Sequence, residues 1–351
     1  MLRSRHYLKS NALASKMADL LPPEGGNRLS RRNFGRIQGF LNPDSFLMRS
    51  LFLIAVAGFL FLLPSSDALA QADRSELKKY PPEIPGARVE AYRKVEGREL
   101  KLWIFQGTGS PEMGAPRPAI VFFFGGGWKT GSPTQFVPQA RALADRGMVA
   151  CVADYRVASR DGVKPTECVA DAKACVRWIR SNAVRLGVDP GRIVAAGGSA
   201  GGHLAAATAF LPGLDPDGKN SSVSSVPNAL ALFNPALVLA PVEGVDLTGF
   251  LADATAERLG CRPEEISPAH HIRNGGVPTL IHHGSADSTV PFASAEKFAA
   301  LMKAAANRCE LVCYEGQAHG FFNRPPFQES TLEKTDAFLV SLGYLPAKRH
   351  P

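Results

Sequence analysis

The chain has 351 residues, of which 45% are hydrophobic, 21% charged and 8% aromatic, and its 33 Gly and 27 Pro follow no fixed period, which excludes disordered, collagen-like and low-complexity classes. The formal net charge of +8 is concentrated at the front: residues 1–70 carry 9 Lys and Arg against 4 Asp and Glu, which leaves +3 for the rest. No stretch there interleaves basic and aromatic residues as a nucleic-acid footprint requires, so no nucleic-acid partner is expected.

In chain order, residues 1–47 are Arg-rich and turn-rich without sustained apolar periodicity, and read as a disordered extension or as the result of a start placed upstream of Met48. Met48-Arg49 then leads into thirteen uncharged residues at 51–63, LFLIAVAGFLFLL, followed by Pro64, two serines and Ala68-Leu69-Ala70. A basic start, an apolar run of about 7–15 residues and a small-x-small site make a secretory signal peptide, whereas a membrane span needs about 20 apolar residues. Residues 48–70 are therefore predicted to be a signal peptide cleaved after Ala70, with a retained anchor as the alternative. The body is expected to be exported, periplasmic or secreted, with no stable membrane span after cleavage. Six cysteines in an exported chain invite a disulfide framework. Cys168 and Cys175, however, lie seven apart on a predicted helix, and Cys309 and Cys313 four apart on a predicted strand, too far along either axis to close locally.

Residues 71–87 form a polar, Pro-rich lead-in to a single predicted domain over 88–351. Strands at 89–92 and 100–105, around Glu96-Gly97, read as an antiparallel edge. Beyond residue 117, apolar runs at 119–124, 149–154, 193–197, 229–234, 279–283 and 310–315 alternate with helical segments at 138–146, 167–186, 202–210, 294–307 and 329–342. That alternation is the signature of an α/β fold with a mostly parallel sheet covered on both faces. Residues 236–268 are the one long connection, a small lid-like excursion.

The run at 193–197 leads into Gly197-Gly198-Ser199-Ala200-Gly201-Gly202 and an Ala-rich helix, the pattern of a nucleophile elbow. The tight turn leaves no room for side chains beside the serine, and the helix N-terminus favours negative charge developing there. A serine hydroxyl needs a base in reach and a third group to orient that base. Asp287, on the turn after the strand at 279–283, and His319, on the loop after the next strand, both sit at C-terminal strand ends, where sites assemble in parallel sheets. Phe124-Gly125-Gly126-Gly127-Trp128, after the strand at 119–124, offers backbone N–H groups to a tetrahedral oxyanion, and Ala200 N–H completes the set. Among other candidates, His203 reads as a packing residue and Asp171 as structural. His270, His271, His282 and His283 lack the carboxylate pattern of a metal site, and neither a Walker lysine nor GxGxxG is present; no metal and no cofactor are expected.

With Gly125-Gly126-Gly127-Trp128, Asp154-Tyr155-Arg156, the elbow through His203, the Asp287 turn and His319-Gly320-Phe321 in this order, the chain from about 88 to 343 resembles the α/β-hydrolase superfamily. Within it, the likeness is to the hormone-sensitive-lipase-like and bacterial feruloyl- or acetyl-esterase branch. The resemblance implies Ser199, Asp287 and His319 as a catalytic triad, and Gly126, Gly127 and Ala200 as oxyanion-hole donors. It implies an exported serine carboxylesterase acting on short-chain or aromatic esters, with a small-molecule or carbohydrate ester, such as an acetylated or feruloylated polysaccharide, as substrate. One departure stands out: Phe124 occupies the position where the family usually has His, so the loop has to be braced otherwise. A serine peptidase of the prolyl-oligopeptidase type shares the elbow but needs a propeller for which this length leaves no room. A non-catalytic hydrolase-fold binding protein would commonly lack a triad member. Acyl and alcohol specificity is expected to be set by residues 71–100 and 236–268.

Overall fold

The structure is a computed structural model that describes residues 80–107, 115–216 and 222–348; the predicted extension at 1–47, the signal peptide at 48–70 and the first part of the lead-in lie outside them. Eight strands form one sheet: β1 Arg88–Val95, β2 Arg98–Gln106, β3 Arg117–Phe123, β4 Val149–Ala153, β5 Val188–Gly198, β6 Ala229–Phe233, β7 Thr279–Gly284 and β8 Cys309–Tyr314. Their spatial order is β1-β2-β4-β3-β5-β6-β7-β8. The β1–β2 and β2–β4 pairs are antiparallel and the others parallel. The longer helices are α1 Val137–Asp145, α2 Pro165–Ser181, α3 Ala200–Phe210, α4 Phe292–Ala304 and α5 Phe327–Ser341.

β3 is the switch point, because it pairs with both β4 and β5. The chain moves outward from β3 to β4 and then doubles back to β5, so right-handed crossovers put the two connecting helices on opposite faces. Side-chain alternation along β3 follows suit. Ala119, Val121 and Phe123 pack in the core that α2, α3 and α4 close, while Ile120 and Phe122 pack in the core closed by α1 and α5. Covered on both sides, β3, β4, β6 and β7 are continuously apolar or buried rather than alternating. β1, at the sheet's edge, instead carries Arg88, Glu90, Arg93 and Lys94, charges that discourage pairing with another chain.

The helix predicted over 167–186 starts at Pro165, where Lys164 N–H donates to Glu167 Oε2 at 3.1 Å, and breaks at Asn182 before a short turn Ala183–Leu186. The elbow helix begins at Ala200 rather than 202. The excursion at 236–268 contains three short helices, Thr248–Leu251, Ala256–Leu259 and Pro263–Ile266. All six cysteines are free thiols, with Cys151, Cys168 and Cys175 buried. Among the described residues no helix is long and apolar enough to cross a membrane.

Asp154-Tyr155-Arg156, at the end of β4, knots the antiparallel edge to the parallel sheet. Asp154 accepts from Tyr80 Oη and from Arg98 (2.9 Å), and its carbonyl accepts from Tyr92 Oη (2.7 Å). The Arg156 guanidinium and backbone N–H converge on Asp171 of α2, which is fully buried and also binds Arg93 of β1. Truncating one member of such a set leaves the rest as uncompensated buried charge. Asp171→Ala is expected to lower unfolding free energy by about 3–5 kcal/mol, read as a lower urea midpoint at unchanged slope.

Candidate active site

Ser199 sits between β5 and α3 with φ 53° and ψ −119°, a conformation a non-glycine residue holds only when its surroundings force it. Those surroundings are its glycine neighbours. A Cβ on Gly201 would lie 2.0 Å from Phe123 O and 2.4 Å from Phe124 O, and one on Gly198 would lie 2.6 Å from the Phe322 ring. The α3 N-terminus is thereby seated directly against the end of β3, with Ser199 N–H on Phe233 O at 2.9 Å.

The residues predicted as a triad meet here. Ser199 Oγ is 2.9 Å from His319 Nε2, and His319 Nδ1 is 2.7 Å from Asp287 Oδ2. The serine follows β5, the aspartate β7 and the histidine β8, all at their C-terminal ends. Burial of Asp287 favours its protonated form. Hydrogen bonds from His283 and His319 and from the Val290 N–H (2.8 Å) outweigh that and hold its carboxyl well below the usual carboxylate range. Its Oδ1 also accepts from Thr289 N–H at 2.9 Å. The carboxylate is thus fixed as an ionised acceptor that orients Nδ1–H, leaving Nε2 free to take a proton from Ser199.

The glycine loop is braced around Phe124. Phe124 is buried and stacks on Tyr155, ring centroids 4.0 Å apart, while Tyr155 Oη donates to Phe124 O at 2.7 Å. Gly125 N–H is held by Gln135 Oε1 at 2.7 Å, and Arg160 reaches Gly131 O at 2.8 Å. Gly127 and Ala200 line the cavity beside Ser199, and Ala200, at the first position of α3, carries an N–H that no helical carbonyl can satisfy. Gly126 is not among the lining residues; it anchors the turn, its carbonyl accepting from the N–H groups of Lys129 and Thr130 at 3.0 and 3.1 Å.

The cavity measures about 510 Å³. Trp128, Leu239, Phe250, Leu259 and Val290 supply apolar wall, and Asp253, Arg258 and Ser288 a polar margin. The excursion at 236–268 contributes as expected, but described residues 80–100 do not line the cavity, and the segment 288–291 does. The reason is topological: 80–100 sits on the antiparallel edge, tied to Asp154, whereas Ser288 to Pro291 follow the Asp287 turn itself.

Two residues beside the triad hold positions that the sequence pattern does not assign to the site. His283, considered only as a metal ligand, donates from Nε2 to Val290 O at 2.8 Å with Asp287 Oδ2 at 3.4 Å. Asn234, at the end of β6, accepts Gly320 N–H on its Oδ1 at 2.9 Å. The Asn-Pro dipeptide after an apolar strand was the available signal for Asn234. The other histidines are bonded elsewhere: His270 to Ser267 Oγ and Pro241 O, His271 to Glu264 O, and His282 to Tyr314 Oη and Thr335 Oγ1. Among the described residues no group of three or more His, Cys, Asp and Glu could hold a metal ion.

His203 of α3 is buried edge-on against Trp128 with Nε2 on Ile266 O at 2.7 Å, and burial pushes it down to about 4; burial likewise pushes His282 down to about 3. Both are neutral when folded, so the unfolded chain takes up protons first as pH falls. The stability they hold is complete above about pH 6.5 and is lost as pH falls through about 4 and then 3. Asp287 adds loss only below the ordinary Asp value of about 3.9. A urea midpoint that declines between pH 6.5 and 4, and declines less in His282→Gln, is the expected result.

The BD-FAE family model matches residues 109–302 of this chain. Thermogutta terrifontis esterase 2, in its propionate-bound structure, is 52% identical with a TM-score of 0.72, covering 77% of this chain and 100% of that one. Esterase LipC of Mycobacterium tuberculosis is 31% identical over 220 residues, 59% of this chain and 53% of LipC. A probable isoprenylcysteine alpha-carbonyl methylesterase of Oryza sativa is 28% identical over 226 residues, 58% of this chain and 52% of that protein. The chain spans about half the length of these curated relatives. Matched by the family model over more than half its length, and sharing its fold with solved esterases, the chain belongs to the BD-FAE family of α/β-hydrolases.

Proposed function

We propose that this chain is a carboxylic ester hydrolase working through an acyl-enzyme. Ser199 Oγ attacks the ester carbonyl as His319 Nε2 takes its proton, and Asp287 holds the imidazole tautomer and stabilises the imidazolium. The tetrahedral oxyanion is received by the N–H groups of Gly127 and Ala200, which line the cavity, with the N–H of Gly126, in the turn beside them, as the third donor. His319 then gives the proton to the leaving alcohol, and water, activated by the same imidazole, releases the acid. The observation that carries this reading is the continuous chain Ser199 Oγ, His319, Asp287, with links of 2.9 and 2.7 Å.

The substrate is proposed to be a short-chain or aromatic ester, such as an acetyl or feruloyl group on a polysaccharide. A mostly apolar cavity of about 510 Å³ supports an acyl group of that size, and the Thermogutta enzyme is described with propionate and with butyrate bound and as phosphorylated by paraoxon. Export is proposed on the leader pattern at 48–70; Gln71 is the expected first residue of protein recovered outside the cytoplasm, and recovery of full-length chain from the cytoplasm alone overturns it.

The deciding experiment is hydrolysis of a p-nitrophenyl ester series from acetate to palmitate, together with acetylated and feruloylated oligosaccharides. Turnover is expected to be highest for short acyl chains, to fall by about a millionfold in Ser199→Ala, and by about 10⁴-fold in Asp287→Asn. Equal turnover of palmitate, or activity that survives in Ser199→Ala, contradicts the proposal.

A further inference from the structure

The geometry points to Asn234 as a positioning residue for the reaction: its side-chain amide clamps the backbone immediately after His319 and ties the base loop to the nucleophile elbow. This rests on the triad reading above.

Asn234 closes β6, the strand lying between the strand that delivers Ser199 and the strand that delivers Asp287. It is fully buried, and its φ of 35° is one that Asn tolerates better than most side chains. Three bonds converge on it. Its N–H donates to His282 O at 2.7 Å, its Oδ1 accepts Gly320 N–H at 2.9 Å, and the preceding carbonyl, that of Phe233, accepts Ser199 N–H at 2.9 Å. One turn of backbone thus holds the nucleophile on one side and the peptide next to the base on the other. Gly320 is gripped from its far side as well, its carbonyl accepting from Asn323 Nδ2 at 3.0 Å.

Asn234 Nδ2, by contrast, is buried with no partner among the described residues. The unsatisfied donor is a cost, so it is the oxygen half of the amide, together with the tolerance of Asn for positive φ, that suits this position. What the amide uniquely supplies is the oxygen facing Gly320. The other holds on this loop lie before His319, where Gln317 O accepts from Ala286 N–H at 3.1 Å and Gly316 N–H donates to Ser285 Oγ at 2.8 Å; without the Asn234 oxygen Gly320 N–H loses its acceptor, the peptide after His319 can rotate, and Nε2 drifts from Ser199 Oγ. A displacement of about 1 Å in a reacting pair is worth about a hundredfold in rate.

The test compares Asn234→Gly, which keeps the left-handed backbone and deletes the side chain, with Asn234→Asp, which keeps the accepting oxygen; Asn234→Ala replaces the glycine variant should that one unfold. Two readouts are taken. The first is kcat and KM for a short p-nitrophenyl ester; the second is the downfield proton resonance of the His319 Nδ1–H shared with Asp287, which reports the base without requiring turnover. The truncation is expected to lower kcat by about ten- to a hundredfold with KM within about twofold, and to broaden the resonance, while Asn234→Asp keeps the resonance and most of kcat. A truncated variant with wild-type kcat and an intact resonance overturns the inference, as does equal loss in the truncation and in Asn234→Asp. A wild-type protein that turns over no ester refutes the function proposed above, and the resonance then still decides the role of Asn234.

Discussion

The seat of α3 against the end of β3 is the constraint on which the rest of the site depends. At Gly201 the helix backbone comes so close to Phe123 O and Phe124 O that even a methyl group would overlap them. That approach turns the chain sharply enough to put Ser199 at positive φ, half-buried at the cavity wall with Ala200 beside it. The same contact also brings the glycine loop, which starts where β3 ends, to the same point. A larger residue at 201 would separate Ser199 and the glycine loop in one step.

Around that contact the protein uses two kinds of support. Under the elbow lies an aromatic floor in which Phe136, Phe233 and Phe322 pack at centroid distances of 5.0 to 5.5 Å, Phe136 stacked on Phe322 and Phe233 tilted against both, with Phe322 filling the space that Gly198 leaves. Its contribution is dispersion and apolar burial, which hold position without directional demands. Above and beside the elbow the support is polar and directional: Tyr155 and Gln135 on the glycine loop, Val290 and Thr289 N–H groups on Asp287, Asn234 on Gly320. Loops carry backbone groups that no ladder satisfies, and each of these side chains or turns supplies a missing partner. The division is physical, since apolar packing sets distances between layers while hydrogen bonds set the angles a proton transfer needs.

Phe124 is braced twice over by one neighbour. The ring is held by stacking on Tyr155 and the backbone by the Tyr155 hydroxyl, so one residue of the Asp154-Tyr155-Arg156 motif does both jobs. Its neighbours in the motif face the other way, Asp154 toward the antiparallel edge and Arg156 toward Asp171 of α2. Three consecutive residues therefore couple the edge of the sheet, a buried helix and the oxyanion loop.

The strand and helix order, the two-sided sheet and the elbow were all legible from the chain, because apolar runs, helical periods and glycine spacing are local and each reports its own environment. Ser199, Asp287 and His319 were legible for the same reason: each stands in a turn directly after a recognisable strand. Helix ends were read less well, as at Asn182 and Ala200, where side-chain capping and tertiary seating override periodicity. The Asn-Pro dipeptide marked Asn234 as the end of a strand but not its partner Gly320, 86 residues away, and the role of His283 depends on how the turn after β7 folds Val290 back onto it, which no periodicity reports. Nor could the chain alone assign the cavity wall, for which residues 288–291 serve and 80–100 do not. The sequence by itself determined which candidate residues are present and on which strand ends they stand, since that information is carried by neighbours along the chain. Only the tertiary structure decided what braces the loops and what lines the cavity, because those depend on contacts between segments that the sheet brings together and that no local pattern encodes.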